Sequence, residues 1–211
     1  LIGSSLVDDL TFSVNTLPDQ DNISSAPGQL NQLGKSLRIV TEAIDDFVEV
    51  FDFRTFDQDG DGVADTDGNY QVVINIYSEA AYDNLLGFYV VNPNDGSVAG
   101  ITPSAANRQA YIDAVLANAL GTTTDIQNED TRTFNVPIAA GSVVVPFIIA
   151  NSTEVNGDYS NIYFPLISLN SDGVDHVRGF GNGIFGLEDL PGGGDQDFDD
   201  IIIQITTVNL A

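Results

Sequence analysis

The sequence predicts an all-β protein with a minor helical part, built as a β-sandwich with jelly-roll or Greek-key connections. Short apolar runs of strand length recur along the 211 residues. The turns between them are rich in Asn, Asp, Gly and Pro. A single stretch carries a capped helical pattern. No internal repeat or low-complexity linker divides the chain. Residues 46–211 read as one β-sandwich domain, and 1–45 as an amino-terminal strand and extension packed on it or donated from it.

The elements follow in order. "LTFSVN" (10–15) sets Leu10, Phe12 and Val14 on one face of a strand. "SSAPGQLNQLG" (24–34) reads as loop. Over 36–46, Leu37, Val40 and Ile44 fit a helical period, and the stretch reads equally as an extended lead into the next strand. "FVEVFDF" (47–53) and "YQVVINIY" (70–77) flank an Asp/Gly loop and so predict a hairpin. "LLGFYVVN" (85–92) is the next strand. The helix is expected near 103–120, with Thr102 as cap, Pro103 in the first position and Gly121 as the stop. "TFNVPI" (133–138), "SVVVPFIIA" (142–150), "NIYFPLISL" (161–169), "GIFGLED" (183–189) and "DDIIIQITTV" (199–208) complete the strands.

Charge constrains function. Lys and Arg number 6 against 31 Asp and Glu, a formal net charge of −25. Of the acids, 25 are Asp, the short side chain that favours turns and ion-binding loops. Such a balance argues against nucleic acid and anionic membranes. No apolar run reaches the ~18 residues of a membrane span, so no membrane insertion is expected. Divalent cations would offset the self-repulsion: three Ca²⁺ would bring the charge to about −19. There is no Cys, so an extracellular protein of this composition needs a staple other than disulfides, and metal is one. There is no Met either, which fits a processed or excised segment whose signal peptide has been removed.

Two acidic constellations carry the candidate chemistry. "DQDGDGVAD" spaces Asp57, Asp59, Asp61 and Asp65 with Gly62 after the third, the D-x-D-x-D-G pattern of a calcium loop. Val63 would add its carbonyl, and Asp67 stands one place before the usual bidentate Glu. The bland alternative is a solvated Asp/Gly turn. The second constellation is "GLEDLPGGGDQDFDDIII" (186–203). Its three glycines can adopt positive φ and expose carbonyls. Asp195, Asp197 and Asp199 alternate onto one side, and Glu188 and Asp189 come back across the loop. Asp200 precedes the last strand, and Asp172 joins through the "NSDG" turn. A cation here would clip the last two strands together. The alternative is a flexible acidic loop. Ligand carboxylates are expected to titrate below their usual ~4 when an ion is bound.

"FGLEDLPGGGDQDFDDIII" closely resembles the signature F-G-F-E-D-L-P-G-G-G-D-x-D-F-N-D of a bacterial domain of unknown function, the DUF4114 type. "NSDGVDHVRGFGNG" is similar to that family's D-G-x-D-H segment, and "GFYVVNPNDGSVAGITPSAANRQAY" more loosely to another. Leu187 stands for the usual Phe and Asp199 for the usual Asn. The resemblance implies a calcium-associated β fold in secreted or cell-surface proteins of cyanobacteria and other bacteria, often in adhesin-like settings. It implies no activity. The 57–68 loop resembles an insertion, so nothing carries over to it.

No catalytic set stands out. His176 is the one His, there is no G-x-S-x-G, and Trp is absent. His176 reads as a structural hydrogen-bonding residue beside Asp172 and Asp175, with Arg178 pairing a nearby carboxylate. The expectation is therefore a non-enzymatic protein binding two or more Ca²⁺, a structural module of a bacterial cell surface, matrix or fibre. "LIGSSLVDDLTFSV" would permit self-assembly by adding a strand to a neighbour's sheet, or form an ordinary first strand. The alternative is a calcium-dependent adhesin or carbohydrate-binding module with a glycan ligand stacked on Tyr82 or Tyr159. A hydrolase is a third class, which would need a pocket with convergent carboxylates.

Overall fold

A computed structural model gives the fold and describes residues 33–80, 82–121, 124–152, 160–181 and 183–210. The expected strand at 10–15 lies outside the described residues. Two antiparallel sheets face each other. The first contains β1 (Gly34–Val40), β2 (Asp45–Asp52), β7 (Val143–Ile149), β4 (Asn84–Val91) and β5 (Thr124–Ile126), in that order, with β8 (Ile162–Tyr163) also on β7. The second runs β6 (Thr131–Ala139), β3 (Asn69–Ser78), β11 (Ile201–Leu210), β10 (Ile184–Leu187), β9 (Val177–Gly181). The expected all-β sandwich with a minor helix is what the chain forms.

The sequence patterns separate the two sheets. In β3, "NYQVVINIYS", alternate residues Tyr70, Val72, Ile74 and Ile76 are buried, because the sheet's outer face meets solvent. In β7, "VVVPFII", every residue is buried. This sheet is covered on both faces. Inward, Phe51, Phe88 and Ile148 meet Ile74, Phe185, Leu187 and Ile203 of the opposite sheet. Outward, Tyr89, Val145 and Phe147 pack under the helix α1 (Arg108–Ala117) and the 162–169 segment through Tyr111, Ile112, Val115, Phe164 and Leu169. Each large side chain so buried contributes about 1.5–3 kcal/mol. Pro146 explains a gap in the first sheet. It has no N–H to give, and beyond β4 the partners of β7 stop on either side of it: β2 at Val143–Val144, β8 at Ile148–Ile149.

Some expectations are corrected. The 47–53 and 70–77 runs are not a hairpin: β2 lies in the first sheet and β3 in the second. The Asp/Gly loop between them is a crossover, far longer than the 2–5 residues of a hairpin turn. The 36–46 stretch is not helical. β1 pairs with β2 from Gly34↔Phe51 to Val40↔Asp45, and Ile39 is buried between exposed Arg38 and Val40, a strand's alternation. The helix is shorter than 103–120, and Ser104 rather than Thr102 caps its lead-in turn, accepting from the Asn107 N–H at 3.2 Å. The 161–169 run is strand only at Ile162–Tyr163; after Pro165 it turns into a 3₁₀ segment at Ile167–Leu169.

Candidate metal centres

The crossover loop folds on its own carboxylates. Asp57 accepts from the Gly60 N–H at 2.7 Å and, through its other oxygen, from the Gly62 N–H at 2.9 Å. Asp59 accepts from Asp61 N–H (3.1 Å), and Asp61 from Val63 N–H (2.8 Å). These turns bring carboxylate oxygens of Asp57, Asp59 and Asp61 within 4.8 Å of one another. Burial works against the Asp57 charge, but the Gly62 and Gly60 N–H groups outweigh it and hold the carboxyl below its usual range. Asp65 is used elsewhere: one oxygen accepts from the Gln58 N–H (2.9 Å) and the Tyr70 hydroxyl (2.7 Å). Asp67 and Val63 are exposed and lie outside the triad.

The second loop, residues 188–200, joins β10 to β11, which pair from Leu187↔Ile201 to Ile184↔Gln204. Glu188 is fully buried. Its Oε1 accepts from the Phe198 N–H at 2.6 Å, and its Oε2 has no hydrogen-bond donor. Carboxylate oxygens of Glu188, Asp195 and Asp197 lie within 4.8 Å of one another. Burial, together with the charges of Asp197, Asp195 and Asp189, pushes Glu188 up to about 7. That is the direction for a carboxylate whose counter-charge is missing from the protein's own side chains. It is opposite to the shift expected with an ion bound.

The loop's path is tightly determined. Gly192, Gly193 and Gly194 all have positive φ, as do Gln196 (64°) and Phe198 (62°). A left-handed Phe costs roughly 1–2 kcal/mol. Its ring is buried, and the Arg178 guanidinium lies 3.8 Å from the ring centroid, so Arg178 stacks on the loop. The Phe198 carbonyl passes over Gly186, where a Cβ would stand 2.0 Å from the oxygen. A Cβ on Gly194 would stand 2.5 Å from Glu188 Oε2.

The other expected ligands surround this triad without joining it. Asp172 Oδ2 accepts from the Gly192 N–H (2.8 Å) and contacts His176 Nε2 (2.9 Å), while His176 Nδ1 meets the Glu188 carbonyl (2.9 Å). Both ring nitrogens meet oxygen partners, and the ring stacks on Tyr163 at 3.6 Å. His176 is thus a buried residue that holds the start of the loop, directly at Glu188 and through Asp172 at Gly192. Asp189 is fully buried and accepts from the Tyr82 N–H (3.1 Å) and the Asn84 side-chain amide (2.9 Å). Asp200 accepts from the Asp189 N–H (2.7 Å), and Asp199 is buried beside it. Tyr82 is half-buried, and Tyr159 lies outside the described residues. Asn84 and Phe198 carried no sequence signal of their part in the site; only packing reveals it.

Both triads offer oxygen donors alone, so each has the chemistry to hold a hard metal ion. Among the described residues no helix is long and apolar enough to cross a membrane. Fold and loop together define a two-sheet antiparallel β-sandwich with an acidic, glycine-rich clip between its last two strands. Residues 138–208 match the family model described as Domain of unknown function (DUF4114), so a DUF4114-type domain occupies that stretch. The match takes in β7 to β11 and the Glu188 triad, and leaves out the Asp57 loop. No curated protein and no solved structure matches the chain.

Proposed function

We propose that this chain is a calcium-stabilised extracellular structural module, non-enzymatic, of a bacterial cell-surface, matrix or fibre protein. The observation that carries the reading is Glu188 Oε2, a fully buried carboxylate oxygen without a donor, converging with Asp195 and Asp197. An uncompensated charge at such a position is costly, and a bound cation removes the cost. Calcium fits best. It takes six to eight oxygen ligands in flexible loops, whereas Mg²⁺ seldom uses an all-protein cage and zinc prefers nitrogen and sulfur. Calcium loops of extracellular modules work at about 10⁻⁴–10⁻³ M, which suits a secreted or surface location. Self-assembly through residues 1–14 belongs to this proposal.

Thermal melts with calcium and with chelator, with metal content measured alongside, test it. At calcium one hundred times its Kd, a single site contributes about 2.7 kcal/mol, which chelation would remove. A metal-free protein whose melting ignores both additions would defeat the reading. A calcium-dependent adhesin is the second reading, favoured by an open concavity lined by Asp61, Val63, Ala64, Asp65, Thr66 and Asp67 beside the first triad. A glycan array run with and without calcium separates the two: calcium-dependent glycan capture favours the adhesin.

A further inference from the structure

We propose that Asp189 and Asp200 hold a further cation beside the Glu188 triad, at the seam between the two sheets. The inference rests on the reading of this loop as cation-bound and adds a second position to it. Asp189 is fully buried, and its two oxygens differ. Oδ2 is supplied by the Tyr82 N–H and the Asn84 amide; Oδ1 has no hydrogen-bond donor. Asn84 cannot easily turn to help, because its own Oδ1 accepts from the Asn151 N–H at 3.0 Å.

Asp200 is tied to the same residue. Its Oδ2 takes the Asp189 N–H at 2.7 Å. A shared proton would cancel one charge and leave the second beside Glu188; a divalent ion offsets both. Asp200 is only partly buried, so water can reach its side of the pair and complete the coordination.

The position gives the ion a task distinct from that of the triad. The triad holds the β10–β11 loop to itself. Asp189 instead reaches Asn84 at the start of β4 and, through it, Asn151 just beyond β7, both in the first sheet. The Asp200 carbonyl accepts from the Glu79 N–H at the end of β3. An ion at this pair ties the second sheet's loop to the ends of two interior strands of the first sheet.

Terbium luminescence and calcorimetric calcium titration of the full chain count the ions in wild type, Asp200→Asn and Glu188→Gln. Asp200→Asn is expected to bind one ion fewer than wild type and to keep the ion that Glu188→Gln loses. Wild-type crystals soaked in terbium, which need no variant to fold, are expected to show an anomalous peak between Asp189 and Asp200. A full ion complement in Asp200→Asn, or peaks at the two triads alone, overturns the inference and assigns a shared proton to the pair. Absence of ions everywhere overturns the proposed function as well.

Discussion

The two acidic loops use the same residue type in opposite ways. In the 57–67 loop each triad Asp accepts backbone N–H groups from its own turn, and Asp59 and Asp61 face solvent. That loop is satisfied as an ordinary turn, and an ion would add to it. In the 188–200 loop the central acid is buried, and one of its oxygens has no donor. That loop has a deficit that a bound cation would repair. Spacing alone makes the first loop look the better site; burial makes the second the one on which stability depends.

The comparison breaks most visibly at Gly186. Gly186→Ala would drive a methyl into the Phe198 carbonyl and is expected to cost about 3 kcal/mol in urea unfolding, in calcium and chelator alike. The terbium affinity of the first loop should be unchanged. A cost confined to calcium would mean that the loop takes this path only around an ion. Glu188→Gln comes next. In chelator it is expected to stabilise the protein by about 1–2 kcal/mol, since a buried charge is replaced by an amide that can donate to Asp195 or Asp197. In calcium the variant should lose the triad's ion. Destabilisation in chelator would show that the Glu188 charge is already compensated.

A third acidic contact, outside both loops, sharpens the contrast. Burial, and then the charge of Asp175, push Glu49 on β2 up to about 7, with Asp46 adding to the effect and the Ser36 hydroxyl donating to Glu49 at 3.3 Å. A carboxyl raised in the folded state contributes stability that is complete below its unfolded pKa of about 4.3 and is lost as pH rises through about 7. Stability in chelator should therefore fall by about 1–2 kcal/mol across that window, and Glu49→Gln should flatten this component. An unchanged profile in the variant would place the titration elsewhere. The smallest effect belongs to Asp59→Asn, exposed in the first loop. It should change stability in chelator by less than about 0.5 kcal/mol while weakening terbium binding there.

Much of this was legible in the residues. "YQVVINIY" and "SVVVPFIIA" read as strands, and their patterns match what the structure shows, one sheet half-exposed and one covered on both faces. The acids of both triads stood out by spacing. The 47–53 and 70–77 pairing was misread because an Asp/Gly loop signals a turn without saying which sheet each flank joins. β1 was ambiguous because Leu37, Val40 and Ile44 satisfy a helical period, while Ile39, the residue that is buried, satisfies period two. β5 and β9 are too short and too poor in apolar residues to be seen. The donorless oxygens of Glu188 and Asp189 were beyond reach, since a hydrogen-bond deficit belongs to packing and not to spacing.

β11 is drawn from the end of the described chain yet lies in the middle of its sheet, between β3 and β10. Until residues 201–210 are in place, the β6–β3 pair and the β10–β9 pair have no strand to join them, and the second wall of the sandwich stays in two halves. A nascent chain therefore keeps this sheet open until β11 has emerged. Its final fold is postponed to a late, long-range closure of the slow kind.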